Sequence, residues 1–128
     1  MNTQKTYNPL QTPEPAGWLA LDEGERLHLV EEYHRNEQTE LPNERLHASV
    51  HVIIENQIAM GMEPVVRTLG RLIQEGLVRH DAIHAIGCVL AEHIHGILTG
   101  GIMKPEDESL YFSRVEKLTA KRWLKGKW

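Results

Sequence analysis

The sequence predicts an all-α fold, a compact bundle of about five helices behind an extended N-terminal arm. Three observations predict it. Apolar residues recur at three- and four-residue spacing in five successive stretches, as one buried face of a helix requires. Capping residues precede most of those stretches, and glycine or proline punctuates their ends. No alternating apolar run is bounded by hairpin turns, so nothing reads as a strand. The chain has 128 residues, 41% hydrophobic and 25% charged, which is enough apolar material for one sizeable core.

Residues 1–17 carry Pro9, Pro13 and Pro15 and little hydrophobicity, and read as an extended or disordered arm. Residues 18–128 read as a single helical domain. Trp18, Leu19 and Leu21 open it. Asp22 with Glu25 makes an Asp version of the capping box, and a helix follows through Leu27, Leu29, Val30 and Tyr33 to about Asn36. A loop marked by Pro42 leads to Asn43, a cap for the second helix, whose apolar face is Leu46, Val50, Ile53, Ile54 and Ile58. Gly61 and Pro64 mark the next turn; Val65, Val66, Leu69, Leu72 and Ile73 then form a third helix that stops near Gly76. The fourth runs from about His80 through Leu98 on Ile83, Ile86, Leu90, Ile94 and Ile97, and Thr99-Gly100-Gly101 ends it. Pro105 opens a last helix with Glu106 and Asp107 in its first turn and Tyr111, Val115 and Leu118 facing inward.

Charge and composition exclude some functions. A net charge of −4 lacks the positive field of a general nucleic-acid binder. The basic end, Lys117, Lys121, Arg122, Lys125 and Lys127 with Trp123 and Trp128 between them, reads as a solvated helix terminus rather than an RNA- or partner-binding tail. The single cysteine, Cys88, leaves no internal disulfide and suits a reducing compartment. The N-terminus has no signal core, and no unbroken apolar run approaches the roughly 18 residues that span a bilayer. The expectation is a cytoplasmic protein away from membranes, with a homo-oligomer or a protein partner left open.

Two stripes of polar residues carry the functional argument. His47, His51 and Glu55 are spaced four apart in the second helix; His84, Cys88 and Glu92 repeat that spacing in the fourth, with His95 beside them. Residues four apart share a helix face, and each set of three falls within roughly 80° of arc. If the stripes meet, His47, His51, Glu55, His84 and Glu92 offer imidazole and carboxylate donors suited to a divalent transition metal such as zinc or iron. A bound water at such a site becomes a nucleophile, and Glu55 or Glu92 is a candidate general base. The plainer alternative is a non-enzymatic interaction or scaffold protein whose buried His and Glu satisfy one another and set the packing register. A small-ligand pocket between the second and fourth helices is a third reading.

Other patterns add little. Glu25/His28, Glu31/His34 and Glu44/His47 have the Glu-x-x-His spacing of di-iron bundles, but the helices look short for that fold. Cys88 sits among Gly87, Val89 and Leu90 as an inert thiol. His28, His34 and His80 read as surface residues. Zinc-protease, nucleophile-elbow, phosphate-loop and dinucleotide motifs are all missing.

The stretches WLALDEGERLHLVEEYHR, LHASVHVIIENQ and EGLVRHDAIHAIGCVLAEHI resemble a family of short, all-helical bacterial proteins of unknown function, over roughly residues 18–98. The most specific element is H-x-x-x-H-x-x-x-E-x-Q followed by His and, eight residues on, Glu; His47, His51, Glu55, Gln57, His84 and Glu92 match it. Asn56 stands where related members carry a glutamine directly after the glutamate. The resemblance implies the helical fold and a bacterial cytoplasmic setting, and no activity.

Overall fold

The computed structural model describes residues 5–37, 43–100 and 104–126. Among them there are seven helices and no strand: α1 (Pro15–Ala20), α2 (Glu23–Asn36), α3 (Glu44–Ala59), α4 (Glu63–Gln74), α5 (Arg79–Gly100), α6 (Asp107–Glu116) and α7 (Ala120–Leu124). The all-α class and the five longer helices match expectation; α1 and α7 are additional short elements. The loop around Pro42, the second glycine of the Gly100-Gly101 stop, Lys127 and Trp128 lie outside the described residues. Contacts divide the chain into two compact units, Met1–Met62 and Glu63–Trp128.

In the first unit the local chemistry starts α2 and α3 where the sequence says it should, and it starts α1 at Pro15, inside the stretch expected to be an extended arm. Pro15 occupies the first turn of α1, and Glu14 accepts from the Gly17 amide. Asp22 caps α2 by accepting from the Glu25 amide at 2.8 Å, which holds its carboxyl below the usual range. Asn43 caps α3 by accepting from the Leu46 amide at 3.0 Å. Gly61 ends α3 with a φ of 72°; its amide donates to Ile58 O, and the Met62 amide donates to Gln57 O at 3.0 Å. That pair of bonds is a Schellman stop, and its left-handed residue favours glycine.

The core of this unit is Tyr7, Trp18, Leu21, Leu29, Val30, Ala48 and Val52. Arg26 ties it together. Its guanidinium donates to the carbonyls of Trp18, Leu19 and Leu21 at the end of α1 and to Asn56 Oδ1 on α3. Trp18 Nε1 donates to the same Asn56 oxygen at 2.9 Å. The helix-free stretch before α1 adds Tyr7 to this core, where it is 4% exposed.

In the second unit α4 and α5 pack together, and α6 packs on both. Val65, Leu69 and Leu72 of α4 are buried as expected, whereas Val66 and Ile73 are exposed and Thr68 takes a place in the core. Gly76, at a φ of 112°, closes α4 with the same double bond pattern, its amide on Ile73 O and the Leu77 amide on Leu72 O. Ile83, Ile86 and Leu90 of α5 are buried; Ile94 and Ile97 are half-buried. Tyr111, Val115 and Leu118 face inward as expected, but the last helix is two helices. Thr119 accepts from the Arg122 amide and so starts α7 separately.

α5 also revises the expected lack of a membrane-length helix. It has 22 residues, and its most apolar 18-residue window reaches a mean hydropathy of 1.3, long and apolar enough to cross a bilayer by length and composition alone. A search for an unbroken apolar run misses it because His84, Glu92, His93 and His95 interrupt the apolar residues. In the fold its first half is buried from Ala82 to Leu90 apart from the half-buried His84 and Cys88.

Candidate functional site

The polar stripe of α3 lies in the middle of its buried face rather than at the edge. His51 and Glu55 are each 1% exposed, next to Ala48 and Val52, while Leu46, expected in the core, is 58% exposed. What permits this is a partner from outside the helix. Tyr7 Oη donates to Glu55 Oε2 at 2.6 Å and lies 3.1 Å from His51 Nδ1. A phenol has one proton. With that proton directed at Glu55, the contact to His51 has Nδ1–H donating to the phenol oxygen. In the neutral ring the lone pair then falls on Nε2.

α2, packed on α3, contributes a third imidazole. His34 is 6% exposed, and its Nδ1 lies 2.9 Å from the Val30 carbonyl one turn earlier. A carbonyl only accepts, so Nδ1 carries the proton and Nε2 again keeps the lone pair in the neutral ring. The ring centres of His34, His47 and His51 form a nearly regular triangle with sides of 4.7, 5.0 and 4.9 Å. Each ring has a nitrogen within 4.8 Å of a nitrogen of the others. Three imidazoles on a tetrahedral ion, bound at about 2.0–2.1 Å, hold their ring centres roughly 5 Å apart. The triad therefore fits that geometry. Tyr33 stands edge-on to His34 at 5.3 Å, and Tyr7 edge-on to His51 at 5.9 Å. Both fix ring orientation by packing.

The second unit carries two further candidate donors, His80 and His84, one turn apart at the start of α5 with ring centres 4.3 Å apart. The rest of the predicted α5 stripe has other partners. Cys88 is half-buried; burial pushes its thiol up, and a hydrogen bond from Trp123 pulls it part of the way back. Glu92 accepts from Arg114 of α6 at 2.8 Å, with half its side chain exposed. His95 is exposed.

Of the five residues proposed from the sequence, His47, His51 and His84 are among the candidate donors. Glu55 stands behind His51 through Tyr7, and Glu92 is in its ion pair with Arg114. His34 and His80, read as surface residues, are candidate donors too. Both had a signal. His34 follows the buried Val30 by four residues, and His80 extends the His84–Cys88–Glu92 spacing back by one turn. Tyr7 had none, being 44 residues from His51.

No protein-family model, no curated protein and no solved structure matches this chain. The class that fold and site define is an all-α protein with a histidine cluster able to hold a metal ion.

Proposed function

We propose that this protein binds a divalent transition metal ion through histidine imidazoles, with His34, His47 and His51 as the central donors. The triangle of three imidazoles, two of them with Nδ1–H engaged by an oxygen, supports this reading most. Metal-bound histidines commonly donate their second ring nitrogen in that way, which fixes the tautomer and turns the other nitrogen to the ion. The donor set favours zinc over iron. Three neutral nitrogens suit a zinc site with one position left for water, whereas non-haem iron takes a carboxylate in its triad, and the nearby Glu55 already accepts from Tyr7. His80 and His84 are a second chelating pair, and variants of that pair measure its share of binding.

The test begins with metal content after purification without chelators, followed by titration with zinc. One ion per chain in the wild type, and loss of binding in a His34→Ala/His47→Ala variant, is the expected result. A metal-free protein whose melting temperature is unmoved by zinc, iron, manganese or nickel rejects the proposal. The hydrogen-bonded state of Glu55 and His51 favours a second reading, a structural network in a non-enzymatic interaction protein. On that reading His51→Ala lowers stability equally with and without metal.

A further inference from the structure

The helix-free stretch before α1 supplies Tyr7 to the candidate metal site, although no feature of its sequence marks it for that task. Tyr7 is 4% exposed and seated among Trp18, Tyr33 and His51, with ring centres 5.6, 6.2 and 5.9 Å away. Its hydroxyl links Glu55 to His51. Packing alone explains the ring. It does not explain why the oxygen meets both a carboxylate and an imidazole nitrogen at the centre of a polar stripe.

We infer that Tyr7 is a positioning residue for the metal, holding His51 in the Nδ1–H tautomer so that Nε2 faces the ion, with Glu55 as the acceptor that orients the phenol. This rests on the metal reading above and adds an outer layer to it. The chain Glu55, Tyr7, His51 is a carboxylate–histidine pair with a phenol inserted, and such outer partners raise the basicity of the ligating nitrogen. Two consequences are specific to it. Removing the hydroxyl frees the ring to take the Nε2–H tautomer, which presents no lone pair to the ion. It also removes the 2.6 Å hydrogen bond that Glu55 accepts from the phenol.

Tyr7→Phe isolates the hydroxyl, because the ring that packs on Trp18 and Tyr33 stays. The metal-free experiment is nitrogen-15 NMR of the histidine side chains. His51 protonated at Nδ1 in the wild type, with a shift toward Nε2–H in Tyr7→Phe, supports the inference; His51 protonated at Nε2 in the wild type overturns it. The metal experiment is competition for cobalt(II) against a chromophoric chelator, with the visible spectrum reporting coordination. The expected loss for Tyr7→Phe is about 10- to 100-fold in affinity with wild-type helix content. Wild-type affinity and spectrum in Tyr7→Phe overturn the inference and leave the metal reading standing. A wild-type protein that binds no cobalt overturns the metal reading, and the role of Tyr7 in metal binding falls with it.

Discussion

Glu75 illustrates how much one side chain decides. It lies just past the end of α4, and one carboxylate oxygen accepts from the Ala120 amide at the start of α7 while the other accepts from Arg71, both at 2.8 Å. The Ala120 bond, and then Arg71, hold its carboxyl below the usual glutamate range. A lowered folded value means the unfolded chain binds the proton more readily. The stabilisation is therefore complete above about pH 4.5 and is lost as pH falls through the folded value. Glu75→Gln is expected to unfold at lower urea than the wild type at neutral pH, with the gap closing in acid; a gap that persists in acid contradicts this account. Cys88 gives a second residue-scale prediction. Its thiol is raised by burial, so less thiolate is present at neutral pH and alkylation by iodoacetamide is expected to be slower than that of a free thiol. A faster reaction counts against the burial.

At the scale of elements, α1 is only six residues long and depends on bonds from outside itself. Trp18 Nε1 and the Arg26 guanidinium both donate to Asn56 Oδ1. Asn56→Ala removes the acceptor and leaves a buried indole N–H unmatched, at a cost of about 1–3 kcal/mol. Urea denaturation followed by Trp fluorescence measures it, and a change within error dismisses the tie. The segment before α1 is a second element-scale case. If Tyr7 and the metal are linked, each strengthens the other by the same factor. Zinc is then expected to slow proteolysis within residues 5–14, and equal cleavage with and without zinc argues against the link.

At the scale of the molecule, each unit has its own buried core, and candidate donors occur on both. A ligand that binds only the folded state stabilises by mass action, about 2.7 kcal/mol at a hundred times its dissociation constant. Zinc is thus expected to slow hydrogen exchange across α2 and α3, which carry His34, His47 and His51. Exchange in α5, read in the same experiment, reports whether His80 and His84 take part. Unchanged exchange in α2 and α3 at saturating zinc removes the triad from consideration. Protons compete for the same nitrogens, so the effect is expected to weaken in acid.

Local chemistry is written in neighbouring residues, and so the helices could be read directly. Asp22, Asn43, Gly61 and Gly76 act through bonds to residues within a turn or so, and the apolar periods of α4 and α5 need no knowledge of the rest of the chain. The same locality made the α3 histidine stripe visible, and extending the α5 stripe back by one turn reaches His80. Which face of α3 is buried, the ion pair that occupies Glu92, and the arrival of Tyr7 between Glu55 and His51 were decided by tertiary structure. Those contacts join residues 22 to 48 positions apart. No pattern of period 3.6 encodes such a meeting, because it depends on how separate helices pack and on where a helix-free segment comes to rest.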